Sequence, residues 1–192
     1  MSLNSNTKEF KSNFIGDFKI GDNIAYNFKI VSQLYSLYNS NKKEYSTILK
    51  PIIITNVSII EAILFDFHKR VKLFTREGVF GLKQDVIEYI RNKKLDQFEV
   101  LIESIKKHKI LTNEDESIYE DMQLLRKVRN RVHIQNAKNE LEIDDFFVFS
   151  EERKILSEKI LEKILSIFSK EYHRGEIKHV ESFSLPWTPH FN

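Results

Sequence analysis

The chain has 192 residues, the length of one domain and enough to bury a substantial core. Its 30 Lys and Arg against 28 Asp and Glu leave a net charge of +2, a sum that says nothing about local segregation of charge. Fifteen Phe and seven Tyr exclude a disordered chain, and the absence of cysteine excludes disulfide scaffolds, Cys-ligated zinc, iron–sulfur clusters and thiol catalysis. Five Gly and three Pro are too few for a many-stranded sheet or a glycine-rich phosphate loop, and they favour long helices.

Residues 1–22 read as a flexible leader, polar at the start and without the apolar core of a signal peptide. A single helical domain is expected over 23–175. Asn23 stands where it can cap a helix to about Asn39, with Ile24, Phe28, Val31, Leu34 and Tyr38 at helical spacing. A longer helix is predicted from Pro51 to about Phe74, Pro suiting a first turn because its missing N–H is unpaired there anyway. Its most apolar run, Ile52–Phe67, is interrupted by Thr55, Asn56, Ser58, Glu61 and Asp66, so the expectation is a buried central helix rather than a membrane span, in a cytoplasmic protein.

Thr75–Gly81 reads as a turn, Gln84–Arg91 as a short helix, and Gln97–His108 as another with Asp96 as its cap. Asn113, with Glu116 three residues on, approximates a capping box. The helix that follows has Ile118, Met122, Leu125, Val128 and Val132 on one stripe. No period is visible over Asn136–Phe149, where Phe146-Phe147-Val148-Phe149 reads as core or as a dimer contact. A last helix is expected after Ser150, with Leu156, Ile160, Ile164 and Phe168 on its stripe and Gly175 to stop it near Tyr172. Residues 176–192 form an aromatic, extended tail whose Phe183, Trp187 and Phe191 dock on the bundle or on a partner chain.

The chemistry concentrates in Arg126-Lys127-Val128-Arg129-Asn130-Arg131-Val132-His133. At about 100° per residue, Arg126, Arg129 and His133 fall within roughly 60° of one another, at the edge of the apolar stripe, while Arg131 points away and reads as plain surface. Guanidinium forks match phosphate oxygens, and imidazole moves protons near neutral pH. A second account fits the same residues. The helix opens with Glu114, Asp115, Glu116, Glu120 and Asp121 and closes with its bases, the polarity that the helix dipole favours. Glu61 lies amid apolar residues on a face with His68, and calls for a cationic partner: Arg129, Arg126 or, locally, His68.

The segment Leu125–His133 resembles the signature of the HEPN superfamily, with Arg129-Asn130 as the Arg–polar pair and His133 as the motif histidine. Ser58–Leu64, with Glu61, resembles the early core helix of such domains. Three residues separate Arg129 from His133, one fewer than the family spacing, and six separate Arg126 from it, so either arginine can take the motif's place. The resemblance covers about residues 23–174. It implies an all-α, HEPN-like bundle of about five helices and a metal-independent endoribonuclease, or a diverged relative, of toxin–antitoxin or phage-defence biology. His133 would act as acid or base, Arg129 or Arg126 would stabilise phosphate charge, and Asn130 would orient the site. It also implies RNA as a partner, a homodimer with a composite basic cleft, and an antitoxin or other protein partner, with no cofactor and no metal. The competing reading is a non-catalytic helical module that binds RNA, nucleotide or protein. His173 and His179 flank Glu176 without a third ligand, His68 and His108 sit at basic helix ends where a cation is locally favoured, and no Gly-x-Ser-x-Gly elbow occurs.

Overall fold

The computed structural model describes residues 8–73, 79, 81–94, 96–111, 116–133, 143–174 and 181–191. Among them are seven α-helices and one two-stranded antiparallel pair, an all-α bundle. The helices are α1 (Phe18–Ser40), α2 (Leu49–Leu73, after a 3₁₀ turn at Ser46–Ile48), α3 (Gln84–Asn92), α4 (Phe98–Lys107), α5 (Ser117–Asn130), α6 (Asp145–Val148) and α7 (Glu151–Glu171). Strand β1 (Glu9–Phe10) pairs with β2 (Phe183–Ser184), Phe10 facing Phe183.

Helix α2 is the axis, in contact with α1, α3, α4, α5 and α7. Its fourteen buried residues cover a little more than half of its circumference, while Pro51 and Phe65 on the remaining side are exposed, the wide apolar face of a central helix. With the turn before it, α2 is long and apolar enough to cross a membrane, and half of its most apolar window is buried inside the bundle. The apolar stripes place the other helices as their spacing predicts. Ile24, Phe28 and Val31 of α1, Ile118, Met122, Leu125 and Val128 of α5, and Ile160, Ile164 and Phe168 of α7 are all buried.

Several boundaries differ from expectation. Helix α1 starts at Phe18 because the Asp17 carboxylate, rather than Asn23, caps it, accepting from the Ile20 N–H at 3.0 Å. The expected leader therefore ends early: Phe10, Ser12, Asn13, Phe14 and Ile15 are buried. The Asp66 carboxylate of α2 holds this segment, accepting from the backbone N–H groups of Gly16 and Asp17, both at 2.8 Å. Asp96 pairs with Lys94 instead of capping α4, whose N-cap is Gln97. Asn113, Gly175 and His179 lie outside the described residues.

Part of the expected tail is built into the bundle. Phe183 stacks on Phe28 with centroids 5.1 Å apart, and Trp187 packs on Tyr35 at 5.3 Å. Two buried acids of α7 bind the following residues. Glu162 accepts from His190 N (2.8 Å), Phe191 N (3.3 Å) and Lys8 Nζ (3.1 Å). Glu158 accepts from Tyr35 Oη (2.6 Å) and Lys154 Nζ (2.9 Å), and lies 2.7 Å from His190 Nε2. Each carboxylate thus meets several donors, the condition under which buried charge is tolerated. Burial, reinforced by Glu158, pushes the Tyr35 phenol far above its ordinary range.

Gly16 fits against Arg70, which is 1% exposed. A Cβ there would lie 2.7 Å from Arg70 Cδ and 2.8 Å from Cγ. Gly16→Ala is expected to destabilise by about 1–3 kcal/mol through overpacking, read as a lower urea midpoint; an unchanged midpoint would refute the close fit.

His68 is buried, its Nδ1 2.7 Å from Leu64 O and its Nε2 2.9 Å from Ser104 Oγ. The carbonyl needs Nδ1–H as donor, so Nε2 accepts from the serine and the ring is neutral. It does not serve Glu61. Burial lowers its pKa to about 4. Because the unfolded chain binds this proton more readily, the contribution is whole above about pH 6.5 and falls as pH drops toward 4. Its total is roughly 3 kcal/mol. His68→Phe should flatten the stability–pH curve between pH 6.5 and 4.5 in urea titrations. An unchanged slope would contradict the assignment.

Candidate nucleic-acid interface

Helix α5 ends at Asn130, and its last turn tightens: Arg131 N bonds to Val128 O and Val132 N to Arg129 O, each at 3.1 Å. His133 thus stands beyond the helix, exposed, rather than on the projected arc with Arg126 and Arg129. Val132, the expected last member of the stripe, is 46% exposed for the same reason.

The two candidate arginines are held by acids on different helices. Arg129 pairs through Nη2 with the Glu61 carboxylate of α2, one of the partners the sequence nominated. Its guanidinium lies over the Phe98 ring at 6.0 Å, and Nη1 reaches Asn130 Oδ1 at 3.5 Å. Burial lowers the Arg129 pKa from its ordinary value, and a guanidinium stays charged regardless. Arg126 instead bonds Gln123 Oε1 through Nε at 2.7 Å and meets Glu99 of α4 at 3.4 Å. The structure therefore brings Arg129, Asn130 and Glu61 together and places Arg126 beside them on another acid. Among the described residues, no hydrogen bond or ion pair joins His133 to any of the four.

Arg131 is not plain surface. Its Nε donates to Asp145 Oδ1 at 2.8 Å and its Nη2 to Ile143 O at 2.6 Å, and Lys50 of α2 meets Asp145 Oδ2 at 2.6 Å. The Lys50 ammonium first, against the opposing effect of burial, and then Arg131 hold the Asp145 carboxyl below its usual range. This carboxylate pins the single turn of α6 beside the end of α5. As a result Phe149 is buried, while Phe146 and Phe147, expected in the core or at a dimer contact, are 74% and 67% exposed and so lie outside the core.

Between α5, α6 and the start of α7 lies a cleft of about 610 Å³, within the size range of ligand sites. Arg126, Lys127, Arg131 and Arg153 line it against a single acid, Glu152, with Phe147, Ile143 and Val128 supplying apolar surface and Asn130 and Ser150 polar groups. Of the motif residues, Arg126 and Asn130 reach this cleft, whereas Arg129 faces Glu61 on the other side. Sequence reasoning passed over Arg153. Its position in the first turn of α7, where the dipole disfavours a cation, is the one signal that marked it. Among the described residues, no three His, Asp or Glu side chains gather as a metal site.

The chain matches no protein-family model, no characterised protein and no solved structure.

The Glu61–Arg129 pair is about a quarter exposed on each side, so screening and side-chain entropy limit its value. A double-mutant cycle of Glu61→Gln and Arg129→Gln is expected to give a coupling of about 1 kcal/mol in unfolding free energy. Additive single effects would show that the contact contributes nothing.

Proposed function

We propose that the protein acts on RNA, with single-stranded RNA lying in the cleft at the basic end of α5. The observation that carries this reading is the lining: four cations against one acid, bordered by an exposed aromatic residue. Cations meet phosphates, and splayed bases stack on aromatic rings, which is how single strands are held without a paired partner.

The Arg129-Asn130…His133 motif beside the cleft supports a HEPN-like, metal-independent endoribonuclease. In that chemistry His133 takes the proton of a ribose 2′-OH and the 2′-oxygen bonds to the adjacent phosphorus. The P–O5′ bond then breaks and the 5′-oxygen takes up a proton, leaving a 2′,3′-cyclic phosphate and a 5′-hydroxyl. Arg129, or Arg126 in its place, stabilises the charge developing on phosphate. Glu61 engages Nη2 of Arg129 and leaves Nη1 on the Asn130 side. This reading includes a homodimer that completes the basic cleft, an antitoxin or other protein partner, and a defence role in the cytoplasm.

One observation favours a second reading. Arg129 is committed to Glu61 and shares no contact with His133 among the described residues, as in a non-catalytic module that binds RNA without cutting it. A labelled, unstructured 20-nucleotide RNA separates the two. Cleavage in excess EDTA that falls at least 100-fold in His133→Ala, with binding retained, supports the nuclease. RNA bound but left intact by both proteins supports the second reading. The doubly reversed Lys127→Glu/Arg153→Glu protein should lose more than tenfold in affinity; if it does not, the cleft is not the RNA site.

A further inference from the structure

The other ends of the helices carry a second concentration of positive charge that the α5 cleft does not use. Helix α3 ends in Arg91, Lys93 and Lys94, helix α4 in Lys106, Lys107 and Lys109, and α2 contributes Lys72. Several are tied into one unit. The Lys93 and Lys107 ammoniums lie over the Tyr89 ring, at 5.1 and 4.0 Å from its centroid, and the His108 ring meets Tyr89 edge-on at 4.6 Å. The Lys72 ammonium donates to the Lys93 carbonyl, and Arg91 Nε to Val71 O at 3.3 Å. Cation–π attraction thus draws two like charges from different helices onto one aromatic ring. Among the described residues neither Lys93, Lys107 nor Lys72 pairs with a carboxylate, although Asp85 lies near His108 and Asp96 is taken by Lys94.

A backbone feature points the same way. Helix α4 ends in a Schellman turn, with Ile110 N bonded to Ile105 O at 3.0 Å, and its left-handed position, φ +51°, is occupied by Lys109. Glycine is the residue favoured there, so a lysine is kept in a conformation that disfavours it. Strain of this kind persists where the surrounding structure holds it, and it clusters at functional sites. The helix dipole alone favours a cation at each of these C-terminal ends, but it gives no reason for a lysine at a glycine site.

We propose that the lysines held around Tyr89, with Lys109, form a second phosphate-binding surface that engages the backbone of the same RNA strand. This rests on the RNA reading above and sharpens it: the substrate class is single-stranded RNA long enough to leave the α5 cleft and reach the opposite end of α4. Helices α4 and α5 run side by side, Glu99 meeting Arg126 and Glu103 meeting Gln123. Ten residues of α4 span about 15 Å at 1.5 Å per residue, so a strand running from the Arg126 end of α4 to its lysine end crosses at least that far. Between α4 and α5 runs a groove lined by Lys127, Lys106, Glu103 and Glu120, with Lys107 next in the chain to Lys106. Helices α3 and α4 expose no large apolar side chain among their described residues, which favours a nucleic-acid phosphate over a lipid surface.

The test is fluorescence anisotropy with non-cleavable 2′-O-methyl RNAs of 3 and 20 nucleotides, the trinucleotide being too short to cross the length of α4. Lys93→Glu/Lys107→Glu should weaken the 20-mer at least tenfold, leave the 3-mer within twofold, and make the salt dependence shallower by about 1.4 in log–log slope. Lys109→Gly should bind the 20-mer more weakly while melting at a higher temperature, a combination that a purely structural role does not produce. Unchanged 20-mer affinity in both variants overturns the proposal, as does charge-dependent binding to phosphatidylserine vesicles without RNA binding. If Lys127→Glu/Arg153→Glu binds normally while the Tyr89-surface variants do not, the cleft reading fails and this surface stands. The reverse result removes this surface alone.

Discussion

A helix buried over more than half of its circumference must be covered on several sides at once, and α2 imposes that demand on the chain. Five helices supply the cover. The polar residues that α2 carries inward then become the points at which its neighbours are fixed. Asp66 holds the residues before α1 and Arg70 donates to the Tyr172 carbonyl after α7, while His68 faces Ser104 of α4 and Asn56 faces Ser157 of α7. Apolar burial supplies most of the driving force and is indifferent to register. These directional contacts select one arrangement, because a slipped helix leaves a buried donor or acceptor unpaired.

The same helix reaches the candidate interface. Glu61 and Lys50 both project from α2, the first to Arg129 and the second to Asp145, which also receives Arg131. The two sides of the basic end of α5 are therefore braced from one rigid element. Preorganised cations lose less freedom on meeting phosphate than freely rotating ones. Bracing also explains how four cations gather in a cleft despite their mutual repulsion: two of them, Arg126 and Arg131, are already partly neutralised by Glu99 and Asp145.

Periodicity made α2, α5 and α7 legible, since each has an apolar stripe long enough to stand out from chance. It failed where a second surface intervenes. Glu158 and Glu162 lie off the Ile160–Ile164–Phe168 stripe, on what reads as a solvent face, yet residues 183–191 cover that face and bury both. Phe146 and Phe147 failed in the opposite sense. An aromatic pair reads as core or as a dimer contact, and the pinning of α6 by Asp145, which leaves both rings exposed, removes the first of these. Arg129 was legible as one of three candidate partners of Glu61, because an acid amid apolar residues calls for a cation. The ends of elements were the least legible, as with Asp17 in place of Asn23, because side-chain competition for a few N–H groups decides them.

The pairing of β1 with β2 bears on how the chain finds its structure. Lys8 bonds to the carbonyl of Phe191, 183 positions away, so this contact closes a loop around nearly every other element. Joining such distant segments in an otherwise unfolded chain costs about 5 kcal/mol of loop entropy, against two short strands and a few hydrogen bonds. The helices must shorten the effective loop before that contact becomes favourable. The seam between the first and last described segments thus forms at least entropic cost once the helices between them have packed.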